Sequence, residues 1–253
     1  LSFKIAVAGK GGCGKTSIAA LIVRYLKING KTPILAVDAD PNSNLNESLG
    51  LKVGQTIGMI LDGFQHDKIK IPVGFTKEAY LEYKLNQSVV ESSGLDLITM
   101  GRGQGPECYC YPNLILKKFV DELSHNYSFI VMDNEAGLEH LSRKTTENVD
   151  ALLLVSNHSV KGIRAIARIL EIVNEVKLNV RKQFTVINLV PDSLDPLVVK
   201  ELERFKLTLD IIIPEDKDLY RYDLEQKPLM DLPETSLAIR AVNELMSKIL
   251  NPE

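Results

Sequence analysis

Gly9-Lys10-Gly11-Gly12-Cys13-Gly14-Lys15-Thr16 fits G-x-x-x-x-G-K-[ST] at every fixed position. A strand-like run precedes it and Ser17 begins a helical pattern, which is the context such a loop requires. Glycines let a backbone wrap phosphates, successive amides point inward, and a helix N-terminus adds positive potential. Gly11, Gly12, Cys13, Gly14, Lys15, Thr16 and Ser17 are therefore the expected phosphate-binding residues. Lys15 is expected at the β- and γ-phosphates, and Thr16 supplies a hydroxyl to Mg²⁺. Lys10 is a second lysine in the loop. Reaching across a dimer interface, it would add positive charge to the partner's nucleotide, as an arginine finger does. Cys13 reads as a small neutral filler, although a helix terminus and two lysines are able to lower a thiol pKa.

Three carboxylates end predicted strands: Asp38 and Asp40 after the second, Asp133 after Phe129–Met132. In a doubly wound fold ligands bind at the C-terminal ends of the strands. The three are expected at the edge that carries the loop, with Asp133 in the Mg²⁺ shell, Asp38 supporting the metal site, and Asp40 positioning or deprotonating water. Asp133-Asn134-Glu135-Ala136-Gly137 reads as a switch beside the γ-phosphate, and Glu135 and Glu139 as interface residues. Asn188, at the end of Phe184–Ile187, has an amide able to meet a nucleobase edge. Pro214, Glu215 and Asp216 end the next strand and would wall the base.

Cys108-Tyr109-Cys110 follows the loop-forming stretch Gly101–Pro106. Two thiolates suit a soft or borderline metal but do not close a four-coordinate site. Two chains meeting at a two-fold axis would supply four sulfurs. Zn²⁺, Ni²⁺ and an iron–sulfur cluster all fit that count.

The elements needed to place these residues are legible as alternation. Phe3–Ala8, Pro33–Val37, Leu95–Met100, Phe129–Met132, Ala151–Val155, Phe184–Ile187 and Leu209–Ile213 are short, apolar and rich in β-branched residues. Strands covered on both faces read this way. Helical patterns lie at Ser17–Leu26, Asn113–Ser124, Leu141–Asn148, Val160–Glu175, Pro196–Phe205 and Ser236–Ile249. The expectation is an α/β fold, a doubly wound and mostly parallel sheet of about seven strands in a single P-loop NTPase domain over 1–253. Residues 51–93 lack a sustained period and read as helices and loops inserted over one sheet edge, the most mobile part of the chain.

The 253 residues carry a net charge of -3 and are 45% hydrophobic, enough for a sizeable core and without the footprint of bulk nucleic-acid binding. No stretch approaches the roughly 18 apolar residues of a membrane span. Three cysteines are too few for a disulfide framework. The expected setting is cytoplasmic, with reduced thiols and neither nucleic acid nor membrane as partner.

Lys10-Gly-Gly-Cys-Gly-Lys15-Thr16 resembles the deviant phosphate loop of the family that includes MinD, ParA and the nitrogenase iron protein. That resemblance implies ATP and ADP as ligands, an ATP-closed homodimer with Lys10 acting across it, Asp40 in a first switch and Asp133–Gly137 in a second. Within the family, Val37-Asp38-Ala39-Asp40-Pro41, Cys108-Tyr-Cys-Tyr-Pro-Asn113, Ala136–Arg143 and Val186-Ile187-Asn188 look most like the CooC-type accessory ATPases. This implies a metallochaperone that inserts nickel into carbon monoxide dehydrogenase or acetyl-CoA synthase as its client. Two other classes share most of these residues. One is an iron–sulfur carrier or ATP-gated electron donor. The other is a MinD/ParA-like positioning ATPase, whose membrane version would need a basic amphipathic helix and whose DNA version a basic face.

Overall fold

The computed structural model describes residues 2–65, 70–101, 119–134 and 148–251. Its centre is an eight-stranded sheet built from β1 (Phe3–Gly9), β2 (Ile34–Asp38), β3 (Val90–Ser92), β4 (Leu95–Thr99), β5 (Phe129–Asp133), β6 (Asn148–Asn157), β7 (Asn179–Val190) and β8 (Leu209–Pro214). The order across the sheet is β3-β4-β2-β5-β1-β6-β7-β8. Every pair is parallel except β3–β4. The fold is thus a single-domain α/β P-loop NTPase with a mixed, mostly parallel sheet.

Strand residues alternate between two cores. Ile5 and Val7 of β1, with Ile34 and Ala36 of β2, pack into a layer with α1 (Lys15–Ile28) and the C-terminal helix. Ala6, Ala8, Leu35 and Val37 face the opposite layer, with Ile57, Ile60 and Phe64. Burial on both faces is why these strands read as unbroken apolar runs.

The eighth strand is the departure from the sequence reading. β3 is only three residues long and pairs antiparallel with β4 through the turn at Ser93-Gly94, where Gly94 has φ 72°. A Ser-Gly pair between two strand-like runs is a hairpin signal, masked here by the polar Glu91-Ser92-Ser93. The rest of 51–93 holds α3 (Ile57–Gln65) and α4 (Lys77–Gln87), preceded by the short α2 (Leu45–Leu49). Residues 119–124 are helical, as expected. Asn148, expected to end a helix, instead begins β6. Downstream come α5 (Val160–Glu175), α6 (Pro196–Arg204), α7 (Lys217–Leu224), a 3₁₀ turn at Leu229–Asp231, and α8 (Leu237–Leu250). The polar sequence of α7 hid it from hydrophobic periodicity; none of its residues is buried.

Candidate nucleotide-binding site

Register brings the candidate residues to one edge. Val7 and Asp38 both pair with Asp133, so the loop after β1 and the ends of β2 and β5 sit side by side. α1 opens differently from five of the later helices. Thr76, Ser159, Asp195, Asp216 and Ser236 each cap a helix through a side-chain oxygen. α1 starts at Gly14, φ 87°, with no side-chain cap. Its first amides keep their hydrogen-bonding capacity for an anion. Gly14 is constrained twice: its backbone is left-handed, and a Cβ there would run into Asn188 Nδ2.

Lys15 is buried, and its Nζ donates to the Lys10 carbonyl at 3.4 Å, while the Lys10 side chain is exposed. Cys13 points into the core, where its thiol donates to the Val155 carbonyl at 3.3 Å. Burial pushes its pKa up against the opposing pull of Lys15. It is the filler the sequence suggested, and the lowered pKa considered for it does not occur.

Thr16 Oγ1 donates to Asp133 Oδ2 at 2.5 Å. Asp133 is 1% exposed, and its other oxygen, Oδ1, is buried with no hydrogen-bond partner. Burial pushes its pKa up to about 6, against the Thr16 hydrogen bond and Lys15, with Asp40 adding to the rise. An orphaned carboxylate oxygen beside a hydroxyl and an anion-binding loop fits Mg²⁺. That ion takes one or two carboxylates and completes its shell with phosphate and water oxygens.

Asp38 has a different task. Its Oδ1 accepts from Asp40 N at 3.2 Å and its Oδ2 from Leu45 N at 3.0 Å. Fully buried, it is pushed up to about 7 by burial first and then by the charges of Asp133 and Asp40. Both oxygens bind backbone, so Asp38 shapes the 38–45 loop and does not present itself to a metal. Among the described residues no group of three or more His, Cys, Asp or Glu side chains could hold a metal ion, so the three aspartates do not form one ligand set. Asp40 is half-buried, accepts from Asn42 N at 2.8 Å, and lines the cavity.

That cavity has a volume of about 890 Å³. It runs from Gly11, Gly12, Gly14, Lys15, Thr16 and Ser17 to Asn188, Pro214, Glu215 and Asp216, so the expected phosphate and base residues share one space. Two of the base residues are already committed. Asn188 Nδ2 donates to the Cys13 carbonyl at 2.9 Å, tying the end of β7 to the phosphate loop. Asp216 caps α7 through Oδ1 and accepts from Ser236 Oγ and Ala238 N through Oδ2. Burial raises its pKa, but the bonds from Ala238, Ser236, Leu219 and Asp218 hold it below the ordinary value. The sequence reading missed Asn42, Asn44 and Leu189 in the lining, and Lys217, Tyr220 and Asp223. The Asp-x-x-Leu start of a capped helix at Asp216 was the available signal for the last three. Cys108, Cys110, Glu135, Ala136, Gly137 and Glu139 lie outside the described residues.

The CobQ/CobB/MinD/ParA nucleotide binding domain family matches residues 4–229. The chain belongs to this family. The ATP-binding protein MJ0685 of Methanocaldococcus jannaschii is 39% identical over 249 residues, 98% of each chain. In structure the chain is similar to the septum site-determining protein MinD of Pyrococcus horikoshii complexed with Mg-ADP. The TM-score is 0.71 at 19% identity, covering 99% of this chain and 97% of that one. Architecture and family together make this member of the CobQ/CobB/MinD/ParA family an ATP hydrolase that binds ATP with Mg²⁺.

The same findings overturn the nickel-insertion reading. The whole-chain structural matches include MinD and ParA ATPases and a cobyrinic acid a,c-diamide synthase. The carbon monoxide dehydrogenase accessory protein CooC of Rhodospirillum rubrum is 28% identical over only 177 residues, 66% of this chain and 67% of its own. The metallochaperone role, the nickel-enzyme client, and Ni²⁺, Zn²⁺ or an iron–sulfur cluster at Cys108 and Cys110 are not supported. That reading rests on two thiols doubled by symmetry and on a resemblance carried by short motifs. No helix among the described residues is long and apolar enough to cross a membrane.

Proposed function

We propose that the chain is an ATP-switched ATPase of the MinD/ParA kind, which closes into a homodimer on ATP and engages a partner protein in that state. The observation that carries this reading is the Thr16–Asp133 pair with its orphaned Oδ1, set between an uncapped helix start and the exposed Lys10. The amides of Gly11 to Ser17 bind the phosphates, and Lys15 neutralises the β- and γ-oxygens. Thr16 Oγ1 and Asp133 would hold Mg²⁺, which when bound draws charge from the transferring phosphoryl group. Asp40 orients the attacking water and accepts its proton. Asp38 holds the Asp40 amide and the start of α2, keeping that carboxylate over the cavity. Lys10 of one protomer adds charge to the nucleotide of the other. Hydrolysis removes the group both protomers grip, and the dimer loosens. Support for a protein partner comes from MinD of Aquifex aeolicus, whose structure is solved in a MinC:MinD complex.

Mixing variants tests the exchange of lysines. Lys10→Ala and Lys15→Ala are each expected to be inactive in ATP hydrolysis. In the mixed dimer, the Lys10→Ala protomer keeps its own Lys15 and receives Lys10 from its partner, so one site is whole. Mixing should restore turnover. Two inactive variants that stay inactive together, while still forming mixed dimers, would overturn the in-trans role.

A further inference from the structure

We propose that Tyr220, with Leu189 of the same cavity, holds the nucleobase by face contact, and that this contact sets nucleotide affinity without choosing between purines. The inference rests on the reading of the cavity as a nucleotide site and adds the residues that grip its base.

Three observations meet here. The first fixes in place the residue expected to read a base edge. Asn188 donates its amide nitrogen to the Cys13 carbonyl, inside the protein, and is only 5% exposed. That bond takes one of the amide's two N–H donors and fixes the side chain against the phosphate loop, which leaves the face of a base to other residues of the cavity.

The second is strain at the next residue. Leu189 has φ 58°, a left-handed backbone that costs a γ-branched side chain and is ordinary only for glycine. The β7–β8 register breaks between Ile187 and Val190, on either side of it. Leu189 is 40% exposed and lines the cavity. An apolar side chain kept in a costly backbone and turned toward a ligand space, where a glycine would relieve the strain, points to a surface that something covers.

The third is the way α7 is built. Its Asp216 cap takes two backbone amides, and Leu219 and Tyr222 pack partly against the core. Lys217, Tyr220 and Asp223, three residues apart along one stripe, line the cavity, together with Leu219. Tyr220 is 65% exposed. Among the described residues no aromatic ring or cation packs on it, although Tyr80, Tyr83 and Tyr222 all have such neighbours. A large, rigid ring on a short helix, lining a cavity and met by no ring or cation among the described residues, is a stacking platform for a flat aromatic ligand. Every purine has such a face, so stacking is blind to the base.

Isothermal titration calorimetry of the full chain with Mg²⁺ tests this, using ADP, GDP and the base-free probe tripolyphosphate. Tyr220→Ala should weaken ADP and GDP alike by about tenfold and leave tripolyphosphate affinity unchanged. Tyr220→Phe should bind as the unmodified chain does. Leu189→Ala should show a smaller loss of the same pattern, a few-fold for both purines. Unchanged ADP binding in Tyr220→Ala would overturn the proposal. So would an equal loss for ADP and tripolyphosphate, which would mean a damaged phosphate loop, and so would a loss confined to one purine. Lys15→Ala is the separate control on the cavity itself. It should lose tripolyphosphate binding, and keeping it would fault the phosphate site, not Tyr220.

Discussion

Replacing Asp38 by Asn should invert its effect on stability across a narrow pH range. In the native chain the Asp38 carboxyl titrates near 7, against 3.8 for an ordinary aspartate. Between these values the folded protein holds a proton that the unfolded chain has released. Stability therefore falls as pH rises from about 4 to about 7 and is level on either side. At about 1.4 kcal/mol per pH unit, the loss attributable to this one buried group is on the order of 4 kcal/mol. Asp38→Asn removes the titration. It keeps one acceptor for the Asp40 and Leu45 amides but turns an NH₂ toward the other, which costs about 1–3 kcal/mol at every pH. Near pH 4 the variant should therefore be the less stable protein, and above pH 7.5 the more stable. Urea denaturation of nucleotide-free protein in a chelator, at half-unit steps from pH 4 to 8.5, measures both curves. The Asp133 carboxyl, near 6, contributes a fall of the same sign to both proteins, so the difference between them isolates Asp38. Curves that run parallel over the whole range would refute the argument that burial dominates this carboxyl.

Three further outcomes follow from named contacts. Thr16→Ala removes the 2.5 Å bond to Asp133 Oδ2 and leaves both carboxylate oxygens without a side-chain donor; Mg²⁺-dependent ATP turnover should drop by about 10²-fold or more, while thermal melting shifts by only a few degrees. Gly14→Ala forces a Cβ into Asn188 Nδ2 at φ 87°; it should destabilise the chain by about 2 kcal/mol or more and abolish ADP binding, both readable in melts with and without ADP. Arg24 lies buried in α1 and donates to Met230 O at 3.2 Å, Leu232 O at 3.0 Å and Glu234 Oε1 at 2.7 Å; Arg24→Met should cost about 2–3 kcal/mol, a fall in Tm of roughly 5–10 °C.

The phosphate loop was legible because its function is written in the backbone. Glycines at 11, 12 and 14 and a lysine–threonine pair at a helix start have few other uses. The parallel strands were legible because burial on both faces leaves no polar residue to interrupt them, as in Ile34–Val37. What stayed hidden depends on partners far away in sequence. Asp38 and Asp133 look alike as strand-end aspartates, yet one binds two backbone amides and the other keeps an oxygen unpaired. No local pattern separates them. Asn188 read as a base contact because only the fold shows Cys13, 175 residues away, at 2.9 Å from its amide. Tyr220 was passed over because the sequence of α7 is mostly polar and its apolar residues Leu219 and Tyr222 are only partly buried. The thiol pair misled in the opposite direction. Cys108-Tyr-Cys110 is conspicuous in sequence, and a ligand count completed by symmetry assigned it a metal and the chain a nickel client, which the family relationships do not support.

Sedimentation velocity on the purified chain tests the central claim most directly. An Asp40→Ala variant, with the water-orienting carboxylate removed so that ATP persists, is run with Mg²⁺ and either ATP or ADP, alone and combined with Lys10→Ala. The account predicts dimers of about twice 28.2 kDa with ATP and monomers with ADP. The Lys10→Ala combination should stay monomeric with both nucleotides while still binding them. A mass that does not change between ATP and ADP, or ATP-driven dimers that persist without Lys10, would contradict it.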